Sequence, residues 1–254
     1  MVDRPAGRRG LPALGVPVHR VAPGAPVTLD PVVRFWTATG GDVGMIRVDR
    51  LPITSTSLWT RPVRPDPDHV PLQLHFDVKE ALGFEHAVIA THRTVLHRPS
   101  RVGDRVGHHQ ALRAIGPERM TALGRGRSWE VDLVLTDATG DLLQVETFSA
   151  FGYRPGTGSR ASRPRGAGQG RQGDSPGVSG HRIRAAAAAS RVWAPVHHDV
   201  VAARRAGFDG VIACTQHLAA IAEQTRLREA RPHGSVRVLE VRMGRPVVAR
   251  REGS

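Results

Sequence analysis

Cysteine is nearly absent: Cys214 is the only one, which rules out a disulfide within the chain and fits a reducing, cytoplasmic setting. Long apolar runs are missing too, and nothing approaches the ~20 residues of a membrane-spanning helix. The N-terminal stretch "MVDRPAGRRGLPALGVPVHR" is charged without a sustained apolar core, so it does not read as a secretory signal. Aromatic residues make up 4% of the chain, and Tyr153 is its one tyrosine. Lysine is reduced to Lys79, so the formal charge of +13 is carried almost wholly by arginine. Those arginines are scattered among Ala, Gly, Val and Pro and have few stacking partners. This argues against a nucleic-acid surface and suits an anionic small ligand equally well. No Cys/His cluster has zinc spacing. The adjacent pair His108-His109 sits in a β-rich run, where alternate side chains face opposite ways and cannot share a metal.

What is present is enough apolar residue, 40%, for packed cores. Residues 1–23 are rich in Pro, Gly and Arg and read as loosely ordered. "TLDPVVRFWTATGG" predicts a short helix, capped by Thr28 or Asp30 and stopped at Gly40-Gly41. A second short helix is expected around Asp77 to Leu82. "HAVIATHRTVLHRPSRVGDRVGHHQALRAIG" holds two strand-forming runs about a turn. In "RSWEVDLVLTDATGDLLQVETFSAFGYR", Trp129, Val131, Leu133 and Leu135 alternate with polar residues up to "DATGD". Leu143, Val145 and Thr147 then resume the alternation. Helix followed by antiparallel meander is an α+β layout for residues 24–154.

Residues 155–182 contain almost no bulky apolar side chains and read as a disordered linker. A second unit, residues 183–254, then opens with an Ala-rich helix. A Trp-Ala-Pro turn, His197-His198-Asp199 and a helix over Asp199 to Ala206 follow. "FDGVIACTQHLAAIAEQTRLREA" reads as a longer helix with Ile212, Leu218, Ile221 and Ala222 on its apolar face. "SVRVLEVRM" reads as a strand with Val236 and Val238 on its inner side.

The segment "WAPVHHDVVAARRAGFDGVI" resembles the MaoC-like enoyl-CoA hydratase/dehydratase family. There an Asp-x-Asn-Pro-x-His segment is followed by an acidic residue, a short helix and Gly-Phe-x-Gly-x-Ile. Pro195, His197, Asp199, Ala203, Gly207, Phe208, Gly210 and Ile212 match. "RPSRVGDRV", "ALGRGRSWEVDLVLTDATGDLL" and "FSAFGYR" resemble the N-terminal half of two-domain members. The likeness spans residues 27–154 and 183–248. It implies a tandem hotdog, each unit a helix wrapped by a curved antiparallel sheet, the second unit incomplete. It further implies a dimer or a pairing with another hotdog chain, no membrane, and no cofactor beyond the coenzyme A of an acyl thioester. The implied reaction is that of a hydro-lyase, water adding to a trans-2-enoyl thioester or leaving a 3-hydroxyacyl one, in fatty acid or steroid metabolism. His197 falls on the catalytic histidine and Asp199 is a possible helper. Gly210, Ile212, Cys214 and Thr215 line the substrate, with backbone N–H groups around Ala213 to Thr215 stabilising the thioester oxyanion.

Four departures temper this. Val192 replaces the aspartate that shares the catalytic water, and loss of one member of an acid/base pair removes ~10²–10⁴-fold in rate. Ala194 replaces the asparagine, and Thr215 replaces a glycine. Asp199 also suits a helix cap. After the long helix only one or two strands remain, against about five in a hotdog sheet. Truncation, or completion by another chain, accounts for that. The alternative function is a non-catalytic hotdog subunit that binds acyl-CoA or completes a partner's active site.

Overall fold

A computed structural model describes residues 10–66, 69–121, 123–154, 178–206, 208–230, 235–244 and 246–249. Most of the expected linker therefore lies outside the described residues. Five strands of the first half form one antiparallel sheet: β1 (Pro17–Val21), β2 (His86–Leu96), β3 (Gly107–Thr121), β4 (Gly124–Thr136) and β5 (Leu142–Arg154). The sheet order is β1-β3-β4-β5-β2, and β6 (Val238–Arg242), from the far end of the chain, pairs antiparallel with β2. The first surprise is β1. It lies within the segment expected to be loose and is held as an edge strand against β3.

The β4–β5 turn shows why "DATGD" works. Asp137 Oδ1 accepts from Thr139 N–H at 2.9 Å, Thr139 Oγ1 at 2.6 Å and Asp141 N–H at 3.0 Å. Gly140 takes the left-handed conformation, φ 92°, that the turn needs. Arg98 then ties Asp137 (2.7 Å) to Asp104 (3.2 Å) across neighbouring loops.

Trp129, Val131, Leu133 and Leu135 all face inward, as their alternation predicts. On β5 the inward set differs from expectation. Opposite Leu133 and Val131 stand Glu146 and Phe148, and opposite Leu135 stands Gln144. The register jumps between Leu135 and Thr136, and beyond that jump Leu143 is buried in the same apolar cluster as Leu135. Polar residues thus occupy the core side, so polarity misled the face assignment while periodicity did not.

Above the sheet lie α1 (Leu29–Ala38), a 3₁₀ stretch (Ile53–Thr60) and α2 (Gln73–Ala81). α2 starts four residues before the expected helix and drops Leu74 and Val78 onto Leu112, Trp129 and Val131. α1 ends where Gly41 passes against Trp36: a Cβ there would lie 2.4 Å from the indole nitrogen.

The second half supplies α3 (Gly180–Ala189), a 3₁₀ turn (Pro195–His197), α4 (Val200–Arg205) and α5 (Thr215–Glu229) before β6. α3 begins inside the expected linker, with Ser179 Oγ accepting from Arg182 N–H. α5 is shorter than its sequence pattern suggests, because Ala213 N–H and Val211 C=O pair with Val247 and Ala249 instead. Its most buried side chains are also unexpected: Gln216, His217, Ala219, Ala220, Glu223 and Gln224, with Leu218 and Ile221 half-buried. Glu223 accepts from Ile53 N–H (2.8 Å), Thr54 N–H (3.1 Å) and Thr54 Oγ1 (2.6 Å), and Gln224 donates to Thr39 Oγ1 at 2.7 Å. On β6 the inward residues are Leu239 and Val241, packed with Ile53, Leu96 and Ala219, while Val238 is exposed. Val236, just ahead of the strand, packs on the same cluster as expected, but within β6 the inner face is one residue out of phase because pairing with β2, Leu239 opposite Thr94, sets its register. The two halves therefore share one sheet and one core.

Candidate active site at the start of the long helix

Pro195 opens the 3₁₀ turn that places His197, and Asp199 then starts α4. The His197 ring is partly buried, and Nδ1 lies 2.8 Å from the carbonyl oxygen of Ile212. A carbonyl only accepts, so Nδ1 carries the proton and Nε2 is left as the basic nitrogen. Burial pushes the imidazole below its ordinary pKa, against the Ile212 hydrogen bond that holds it up, and the charge of His198 adds to the fall. The ring is thus a neutral base at physiological pH. His198 turns away, donating from Nε2 to the backbone carbonyl of Val192 at 2.7 Å and stacking on Trp193.

Asp199 is exposed and spends Oδ1 on the N–H groups of Val201 (2.6 Å) and Ala202 (3.3 Å). Its carboxylate therefore sits as an N-cap on α4. Val192 offers only its main chain to the turn.

Ile212, which anchors His197, leads through Ala213 to Cys214, the N-cap of α5. The Cys214 side chain makes no capping bond, and Leu218 N–H is the first to close onto the Cys214 carbonyl. The first-turn N–H groups of Thr215 and Gln216 carry the positive end of a four-turn helix dipole. Cys214 itself is buried, with its thiol 3.7 Å from Ser190 Oγ, and burial raises its pKa so that it stays a thiol. Thr215 turns its hydroxyl to Met243 Sδ at 3.7 Å. Gly210 packs beside Val248 and Ala249. Of the residues singled out in the sequence, His197 is thus brought to Ile212 just ahead of Cys214 and Thr215 at the entry to α5, whereas Asp199 is not: it caps α4.

Two open surface clefts lie elsewhere. One, about 560 Å³, runs between Arg20, His109 and the 136–140 turn. The other, about 520 Å³, lies on the outer sheet face between Arg93, Arg113 and Arg242. Neither includes His197.

A polar cluster that sequence inspection missed floors the interior. His92 Nε2 lies 3.1 Å from Glu146 Oε2, and Gln144 Nε2 donates to Glu146 Oε1 at 2.8 Å. Glu146 is 1% exposed. Burial pushes its carboxyl up, but the His92 hydrogen bond, the charges of His92 and Arg61, and Ser57 together hold it below the ordinary value. Arg61, at the end of the 3₁₀ stretch, is buried beside it. Period-two alternation from Phe148 back to Glu146 is the sequence signal that puts Glu146 on the inner face.

No protein-family model matches the chain, and no curated protein does. Solved structures do. A MaoC-like dehydratase aligns at 17% identity and TM-score 0.65, covering 91% of this chain and 82% of its own. A MaoC-like dehydratase from Phytophthora capsici aligns at 13% identity and TM-score 0.60, covering 89% and 80%. A Mycobacterium tuberculosis protein described as a double hotdog aligns at 15% identity and TM-score 0.53, covering 93% and 81%. At these identities the likeness is one of fold: an α+β hotdog.

Proposed function

We propose that this hotdog chain is a MaoC-like acyl-CoA hydratase/dehydratase with His197 as its proton-handling residue, working at a reduced rate because Val192 offers no second acid/base group. The observation that carries the proposal is the fixed, neutral His197, bonded through Nδ1 to the chain segment that starts α5. Water approaching a trans-2-enoyl thioester would give its proton to Nε2 as its oxygen bonds to the β carbon. The charge that gathers on the thioester oxygen would be met by the N–H groups of Thr215 and Gln216. The imidazolium then returns the proton to the α carbon, and dehydration is the same path reversed. With one residue serving as base and acid, and no carboxylate to orient the water, the step is ~10²–10⁴-fold slower than with a complete pair.

Hydration of crotonyl-CoA by the purified protein, followed as loss of the enoyl absorbance, tests this. A slow rate abolished by His197→Ala is expected, and a rate that survives that substitution overturns the assignment. The Val192 position also favours a second reading, a non-catalytic subunit that binds acyl-CoA or completes a partner's site. Val192→Asp separates the two. Activity gained by the isolated variant marks a disabled enzyme, and activity only with a partner hotdog chain marks the subunit.

A further inference from the structure

We propose that Arg61 forms an interior anion site that takes the terminal carboxylate of the acyl chain, so that the preferred thioester is that of a short dicarboxylic acid. The proposal rests on the acyl-thioester function proposed above.

Arg61 is 6% exposed. Its guanidinium has five N–H donors, yet its hydrogen bonds among the described residues both come from Nη1, to Ser57 Oγ at 3.4 Å and to the Ser190 carbonyl at 3.5 Å. Both are at the weak end for a charged donor. No carboxylate forms an ion pair with it among the described residues. Glu146 is the nearby negative charge, but its oxygens are bonded to His92 and Gln144 and do not come within ion-pair distance of Arg61. A second guanidinium, that of Arg191, lies close enough to repel Arg61 and is itself spent on the carbonyls of Leu58 (2.8 Å) and Arg61 (3.3 Å). Cys214 remains a thiol and His108, at a pKa of about 4, remains neutral. The junction thus holds two arginines against one carboxylate. A buried charge so weakly bonded is costly unless an anion joins it.

The same two chain segments that build the His197 site also converge on Arg61. Ser190, whose carbonyl Arg61 meets, lies two residues before Val192. Cys214, within electrostatic reach of Arg61, lies two residues after the Ile212 carbonyl that fixes His197. A thioester held at the start of α5 would thus have its acyl end in the neighbourhood of the guanidinium. The interior floor also disfavours an aliphatic tail: His92 Nδ1, His108 Nδ1 and Gln144 Oε1 are buried without partners among the described residues. A carboxylate matches the planar fork of arginine with two oxygens.

Valeryl-CoA and glutaryl-CoA have the same number of acyl carbons, differ by one terminal carboxylate, and are saturated, so calorimetric titration reads binding without turnover. The full-length protein is expected to bind glutaryl-CoA about tenfold or more tighter, the effect of one charged hydrogen-bonded pair. Arg61→Met is expected to erase that preference, and Arg61→Lys to retain part of it. Equal affinity for both esters in the native protein overturns the carboxylate site and leaves the thioester function standing. A preference that persists in Arg61→Met likewise overturns it, and that result would mark Arg61 as a clamp between Ser57 and Ser190. Binding of neither ester overturns both proposals. The native comparison decides even if Arg61→Met does not fold.

Discussion

At the scale of single residues, the site turns on which atoms each side chain has free. His197 keeps Nε2 because Nδ1 is committed to Ile212, whereas Asp199 has given Oδ1 to the start of α4. Asp199→Ala is therefore expected to lower stability by about 0.5–2 kcal/mol, the usual loss for a helix N-cap, while leaving the proposed acyl-CoA binding unaltered. Urea unfolding beside calorimetric titration would check it, and a binding defect without a stability change would contradict it. Much of this was legible in the sequence, since a short polar side chain before "VVAARR" is a cap signal on its own. The Glu146–His92 pair and Arg61 were not legible. No local motif marks a charged residue as inward, and the partners lie 54 residues apart in the first case.

At the scale of elements, α5 is instructive because its buried face is largely polar. Glu223, 2% exposed, takes three donors from the start of the 3₁₀ stretch, capping from another part of the chain what that stretch does not cap itself. Glu223→Ala strands those donors, each worth about 1–3 kcal/mol when buried without a partner, and is expected to be among the most destabilising substitutions in the protein. Burial raises the Glu223 carboxyl above its ordinary 4.5, against the hydrogen bonds from Thr54 and Ile53. A raised acid favours the fold in its protonated form. Its contribution is therefore complete below 4.5 and is lost as pH rises through the raised value. Chemical denaturation of native protein and Glu223→Gln across that window would show the dependence only in the native chain. Amphipathic periodicity could find the helix. It could not find which face is buried, because the contacts that decide it are hydrogen bonds to a segment 170 residues away.

At the scale of the whole molecule, the sequence suggested two units on either side of a linker; the α+β character was readable from helix-then-meander order, and the hotdog from the family resemblance. Their fusion was not. β6 continues the sheet of the first half, and Leu239 enters the core with Ile53 and Leu96. Unfolding should accordingly be one transition. Fluorescence of a variant retaining Trp129 and of one retaining Trp193 should give coincident melting curves, and two separated midpoints would contradict the shared core. The same joint has a bearing on biosynthesis. The first half leaves the ribosome with the edge of β2 bare and the Ile53–Thr60 stretch awaiting Glu223, and neither is covered until the last quarter of the chain has been made. Nascent protein stalled before α5 therefore carries a sticky strand and uncovered backbone donors, and chaperone demand should peak late in translation.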